Sequence, residues 1–184
     1  MKKVERIICV IGLLGFVCLN ACKPSQPSRY RGMPKEYTLA YEEIYGHCYD
    51  SLSSAIVALD LYSEGITLDK NHRIQGTGYN LYLSDIFVPD SSLVNGTYRS
   101  DTTGLPFTFL PGRDYEGLPH GMYLLNIEED KIISIQVLDS GYMVVKDTLG
   151  QKDLLFTLYY KNIYGQRAIY NTHFTGTLLP WQKK

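Results

Sequence analysis

Ile56-Val57-Ala58-Leu59-Asp60-Leu61-Tyr62 reads with a period of two: Val57, Leu59 and Leu61 alternate with Ile56, Ala58, Asp60 and Tyr62. Successive side chains of a strand point to opposite faces, so this is a strand with one face greasier than the other. The same period returns after Gly76-Thr77-Gly78, where Tyr79, Leu81 and Leu83 alternate with Asn80, Tyr82 and Ser84. Further strands are expected over 96–100, 107–110, 122–127, 132–138, 142–147, 154–161 and 168–179. Turn residues separate them: Pro89-Asp90-Ser91-Ser92, Asn95-Gly96, Asp139-Ser140-Gly141, Gly150 and Gly165. The connections are too short for crossover helices, which predicts antiparallel pairing throughout. The expected class is therefore all-β, an antiparallel sandwich or a calycin-like barrel of about 8–9 strands. The last three strands read as a meander, with tight turns at Leu149-Gly150 and Tyr164-Gly165.

Upstream of this region the tyrosines fall at Tyr37, Tyr41, Tyr45 and Tyr49, with Ile44 and Cys48 beside them. A four-residue spacing places them on one helical face, and Gly46 weakens a helix running further. The expectation is a short N-terminal helix over about 36–45, packed on the domain as a lid or plug.

The chain opens with Lys2, Lys3 and Arg6, then runs from Ile7 to Leu19 without a charge. A basic start and a short apolar run make an export signal, too short for a comfortable membrane span of about 20 residues. The run ends in Leu19-Asn20-Ala21-Cys22, which resembles the bacterial lipobox. That resemblance implies cleavage before Cys22 and acylation of its thiol, so Cys22 is the expected lipidation site and the membrane an expected partner. Lys23-Pro24-Ser25-Gln26-Pro27-Ser28 then reads as an extended tether. The expected organisation is a signal peptide over 1–21, the lipidated cysteine and tether over 22–34, and one β domain over 35–180.

The mature part, roughly 160 residues, suits one domain with a sizeable core. Among 184 residues the formal net charge is −1, so nothing electrostatic favours nucleic acid. Of four cysteines, Cys9 and Cys18 leave with the signal and Cys22 is consumed by lipid. Cys48 then has no partner for an internal disulfide and is expected to be a small buried residue. Sixteen tyrosines stand against a single tryptophan, Trp181. Tyrosine suits half-buried strands and also binding surfaces that are apolar at one end and wet at the other.

Several short motifs recur in one order: Ile44-Tyr45-Gly46-His47-Cys48-Tyr49 ahead of the first strand, Gly76-Thr77-Gly78, Gly96-Thr97-Tyr98, and Phe174-Thr175-Gly176-Thr177-Leu178 at the end. Over about residues 38–179 the chain thus resembles a group of small Bacteroidetes lipoproteins with a single all-β domain and no assigned function. The resemblance implies a lipid-anchored all-β domain and carries over no catalytic residue. In such lipoproteins surface export is associated with acidic residues after the cysteine, and the tether has none. The expected location is the outer membrane, facing either the periplasm or the cell surface.

The search for chemistry returns mostly absences. Gly76-Thr77-Gly78 opens a strand and has Leu81 where a third glycine would stand, so it is no phosphate cradle. No Gly-x-Ser-x-Gly elbow occurs. His47, His72, His120 and His173 lack metal-ligand spacing and read as loop or sheet-face residues, so no metal and no cofactor is expected. Paired carboxylates across a cleft would make a glycosidase, and Asp60 and Asp85 are the candidates because they sit within strands. Asp114, Glu116 and Glu128-Glu129-Asp130 read as solvated turns, and Asn95-Gly96-Thr97 reads as a turn although it fits an N-glycan sequon.

Tyrosines interleaved with polar residues give the leading functional expectation. Tyr79, Tyr82, Tyr98, Tyr123, Tyr159, Tyr160 and Tyr170 spread over several strands, and Tyr159 and Tyr160 must face opposite sides. Cross-strand stacking explains such residues structurally. Outward tyrosines would instead bind a glycan, a peptide or an envelope protein, with Tyr79, Tyr82, Tyr159, Tyr160 and Tyr170 as the candidate binding residues. A non-catalytic envelope module leads, ahead of a barrel carrying a small apolar ligand and of a glycan hydrolase. Asp50-Ser51-Leu52 and Asp147-Thr148-Leu149 resemble the Asp-Ser/Thr-apolar site of Bacteroidetes O-glycosylation, which marks Ser51 and Thr148.

Overall fold

The computed structural model describes residues 32–48 and 53–181. The expected signal peptide, Cys22, most of the expected tether, Tyr49 and Ser51 lie outside the described residues. From Met33 onward the chain forms one compact unit. It is all-β, and among the described residues there is no helix.

Among the described residues sixteen strands follow in chain order. They are β1 (Glu36–Tyr37), β2 (Leu39–Gly46), β3 (Ala55–Tyr62), β4 (Ile66–Leu68), β5 (Ile74–Gly76), β6 (Gly78–Val88), β7 (Gly96–Ser100) and β8 (Thr108–Phe109). They continue as β9 (Arg113–Tyr115), β10 (Leu118–His120), β11 (Met122–Glu128), β12 (Lys131–Val137), β13 (Ser140–Thr148), β14 (Gln151–Lys161), β15 (Arg167–Gly176) and β16 (Leu179–Pro180). Twelve of them form one sheet in the order β1-β15-β14-β13-β7-β8-β6-β3-β2-β16, with the β11-β12 hairpin added along β6. Two small hairpins, β4-β5 and β9-β10, stand apart.

This sheet is a curled half-barrel, and its pairing is mixed. Most neighbours are antiparallel, but β1 with β15, β7 with β8, and β16 with β2 are parallel. The all-antiparallel sandwich of about 8–9 strands is corrected accordingly: short strands at the sheet's ends and middle add parallel pairs that alternation cannot show. The sheet's two edges are tied by the same stretch of chain. Tyr37 pairs with Phe174 of β15, and the next residue, Thr38, donates its N–H to Tyr62 O of β3 at 3.0 Å.

The expected helix is also corrected, because residues 36–46 are β1 and β2. A spacing of four is a multiple of two as well as close to one helical turn, so Tyr41 and Tyr45 share a strand face as readily as a helix face. Pairing with β3 on one side and β16 on the other decides for the strand.

The concave face carries the core. Val57, Leu59, Leu61, Leu81, Leu83, Ile86, Tyr98, Phe109, Met143, Leu154, Phe156 and Leu158 are almost fully buried there. Each large apolar side chain so buried contributes about 1.5–3 kcal/mol. A smaller cluster of Tyr62, Ile66, Leu125 and Ile127 lies on the opposite face, with Leu68 and Ile74 of the β4-β5 hairpin packed against it. The meander turns form as the sequence implies. Leu149 and Gly150 both take positive φ, 54° and 84°, the signature of a type I′ hairpin turn. Thr148 is exposed beside it.

Candidate functional site: an aromatic row around Asp60

Strand register places five residues in one line across the outer face. Tyr41 of β2 faces Asp60 of β3, Asp60 faces Tyr82 of β6, Tyr82 faces Tyr123 of β11, and Tyr123 faces Val137 of β12. Their neighbours along the strands, Ala40, Leu61, Leu81 and Leu124, are buried in the core, and alternation sends the five to the other side. The row continues beyond Tyr41. Trp181 stacks edge-on to the Tyr41 ring at 5.4 Å, and His72 lies 4.7 Å from the Trp181 ring. At the other end the Tyr82 and Tyr123 rings are 5.1 Å apart. All five of these ring residues and Asp60 are partly exposed.

One carboxyl group therefore sits in the middle of an aromatic strip. Asn80 Nδ2 donates to Asp60 Oδ1 at 3.1 Å, and Tyr62 OH donates to the same oxygen at 3.4 Å. Burial disfavours the charged form, which raises the Asp60 carboxyl to about 6 despite the Asn80 and Tyr62 hydrogen bonds that favour the carboxylate. Around it Tyr45 OH donates to Glu43 Oε2 at 2.7 Å, and Tyr45 and Tyr82 share a hydrogen bond. Burial also raises the Tyr45 and Tyr123 phenols to about 12, so these tyrosines stay neutral at any physiological pH.

Two β-bulges aim side chains beside the row. Between Ile44 and Gly46 the β2 register slips against β3, so Tyr45 is the extra residue and Gly46 takes φ 70°. Between Leu83 and Ile86 the β6 register slips against β3, so both Ser84 and Asp85 oppose Ala58. Bulges re-aim side chains and are frequent next to functional sites. The two together border a pocket of about 240 Å³ lined by Tyr45, Cys48, Ile56, Tyr82, Ser84 and Asp85. Tyr82 is shared by the pocket and the row.

The candidate residues read from the sequence divide by face. Tyr82 and Tyr159 point outward. Tyr79 and Tyr170 are corrected: both are buried in the core, at 7% and 4% exposure. Tyr170 OH donates to Pro34 O at 2.8 Å and lies 2.8 Å from Tyr37 OH, so its polar end is satisfied internally. Tyr160 also turns inward, packed against the edge of the core. Cys48, expected to be buried, is exposed, and its Sγ donates to Tyr45 O at 3.1 Å. The glycosidase pair Asp60 and Asp85 both lie on the outer face of this site, Asp85 engaged by the Ser84 hydroxyl. Among the described residues, no three His, Cys, Asp or Glu side chains converge as metal ligands.

Tyr41, Glu43, Tyr45, Asn80 and Trp181 were not legible as site residues. The signal that could have found Tyr41 is its parity with Tyr45, once both are read as one strand face beside Asp60. No protein-family model, curated protein or solved structure matches the chain.

Proposed function

We propose that this protein is a lipid-anchored lipoprotein of the outer membrane whose single β domain binds saccharide without catalysis, through the row Tyr41, Asp60, Tyr82 and Tyr123. The observation that carries this reading is Asp60. A carboxyl group kept largely buried on an outer sheet face, between two tyrosines, costs the fold stability, and groups perturbed in this way cluster at functional sites. Aromatic faces stack on the apolar faces of sugar rings, and a carboxylate at their centre accepts from ring hydroxyls. The filled concave side supports binding on the outer face rather than an apolar ligand carried within.

Binding is read by titrating the protein with a panel of neutral oligosaccharides and following tyrosine fluorescence. Tyr82→Ala is expected to weaken the best binder about 30-fold, the effect of losing a central aromatic anchor worth roughly 2 kcal/mol. Unchanged affinity in Tyr82→Ala with a folded circular-dichroism spectrum would remove the row from the reading. A second reading follows from the Asp60 carboxyl at about 6, which suits a general acid, with Glu43 and Asp85 as flanking acids. New reducing ends appearing in the same titration, and lost in Asp60→Asn, would turn the binding module into a hydrolase.

The anchor is tested on the intact protein. Cells fed a palmitate analogue should label the wild type and not Cys22→Ser, and the variant should leave the membrane fraction, since each buried CH₂ contributes about 0.8 kcal/mol to anchoring. The intact mass of the extracted wild type reports any sugar on Ser51 or Thr148 in the same experiment. Lack of label on the wild type would overturn the lipid anchor.

A further inference from the structure

A second outward surface lies on β7, β13, β14 and β15, away from the Asp60 row. Its orientation follows from the core: Tyr98, Met143 and Leu158 are buried inside, so Arg99, Tyr142 and Tyr159 point out. Register sets Arg99 of β7 against Tyr142 of β13, Ser140 of β13 against Tyr159 of β14, and Lys161 of β14 against Arg167 of β15. Between them is an open groove of about 500 Å³, lined by Arg99, Ser100, Ser140, Tyr142 and Tyr159 among others.

The lining of this groove holds Arg99 and no acid. The Arg167 guanidinium lies 4.1 Å from the centre of the Tyr159 ring and donates to Ser140 Oγ at 3.2 Å, so it is held at the groove wall. Among the described residues, ion pairs join Lys152 with Asp147 and His173 with Glu36. Neither Arg99, Arg167 nor Lys161 is in one. Two acids adjoin the lining: Asp139, whose carboxylate accepts from the Ser140 hydroxyl at 2.8 Å, and Asp101, whose carboxylate accepts from the Thr103 N–H at 2.9 Å. Arg99 thus stands as the charged group of the lining, with Arg167 held against Tyr159 beside it.

We propose that this groove binds a carboxylate-bearing saccharide, with Arg99 taking the carboxylate and Tyr142 and Tyr159 receiving the sugar rings. A planar guanidinium matches a carboxylate through two parallel N–H donors, which favours a carboxylate over a point-like anion. The Tyr142 ring is 40% exposed and gives a stacking face. Hydroxyls of Ser100 and Ser140 at the same wall, beside two tyrosine rings, suit a polyhydroxylated ligand whose rings can stack. The inference stands apart from the Asp60 row, because the two surfaces share no residue.

The test titrates the full-length mature protein with a tetrasaccharide of alternating glucuronate and N-acetylglucosamine, its carboxyl-reduced neutral counterpart, sodium acetate and glucose 6-phosphate. The acidic tetrasaccharide is expected to bind at least about tenfold more tightly than each of the other three. Arg99→Met should weaken it about tenfold or more, Arg99→Lys less, and Tyr82→Ala not at all. Arg99 is a surface residue, and a preserved circular-dichroism spectrum separates lost binding from lost fold. Equal binding of the neutral counterpart, equal binding of acetate or glucose 6-phosphate, no binding of the acidic tetrasaccharide, or an unaffected Arg99→Met would each overturn the proposal. Loss of acidic-sugar binding in Tyr82→Ala would also overturn it, by moving the ligand to the Asp60 row.

Discussion

Replacing Asp60 by asparagine is expected to stabilise the domain at pH 7.5 by about 3 kcal/mol while weakening saccharide binding. Burial raises this carboxyl from 3.8 to about 6. The unfolded chain releases the proton near pH 4, and the folded chain keeps it until about pH 6, so the folded state binds more protons between those values. The stability linked to that proton is complete below about pH 4 and is lost as the pH rises through 6. At about 1.4 kcal/mol per pH unit the loss is about 3 kcal/mol, a sizeable part of the roughly 5–15 kcal/mol that holds a typical domain. Asparagine keeps an acceptor for Asn80 Nδ2 and carries no charge to desolvate. Urea unfolding at pH 7.5 should therefore show the variant more stable, and at pH 4 the two proteins should be nearly equal. A variant less stable than wild type at pH 7.5 would mean that Asp60 serves the fold. A gain in stability with a loss of binding is the trade-off expected of a residue retained for function.

The second large effect is at Tyr37. Its ring is 1% exposed, its hydroxyl lies 2.8 Å from that of Tyr170, and its backbone fastens β1 to β15 in the residue before the chain crosses to β3. Tyr37→Ala should cost about 3–5 kcal/mol, the range for deleting a buried aromatic. It removes the partner of a buried phenol as well as filling volume. The loss should be local first: amide exchange in β15 and at Thr38 should accelerate more than in β3 or β6, because the tie between the sheet's edges opens before the central strands do. Tyr37→Phe keeps the volume and should lose about 1 kcal/mol for the hydrogen bond alone. Equal acceleration across all strands would show that the edges are not joined there.

Both predictions rest on parts of the molecule that were differently legible. The alternation in 56–62 and 79–84 fixes β3 and the first part of β6 and sends Asp60 and Tyr82 to the same side, because period two leaves no freedom of face once one face is apolar. What the alternation does not contain is which strands are neighbours. Asp60 and Tyr82 stand 22 positions apart, and Tyr41 and Tyr123 further still. Their alignment depends on the β2-β3-β6-β11 pairing, a long-range choice made by core packing. The two bulges are equally silent in the sequence, since an extra residue is visible only against its partner strand.

The same distinction separates the tyrosines. Composition says that sixteen tyrosines suit strands and surfaces alike. Tyr159 and Tyr160 are assigned to opposite sides by adjacency alone, and the fold places Tyr159 in the Arg99 groove and Tyr160 against the core. Tyr79 shares its face with Leu81 and Leu83, so its inward turn was legible in its own segment, whereas Tyr170 could not be assigned inward from its segment, because a tyrosine is tolerated in a core wherever its hydroxyl finds a partner. That partner for Tyr170 comes from Tyr37 and Pro34, more than 130 residues away in sequence.

Sequence alone determined the class of this domain, the approximate positions of its longer strands from β3 onward, the two hairpin turns of the final meander and the alternation of faces within those strands, because these follow from local backbone geometry and a two-residue period. It also supplied the expectation of a lipid anchor at Cys22. Tertiary structure alone decided that residues 36–46 are strand and not helix, since a four-residue spacing satisfies both periods and only pairing with β3, β15 and β16 separates them. It alone brought one carboxyl into line with three tyrosines, because neighbours across a sheet are set by burying apolar faces together and not by proximity along the chain.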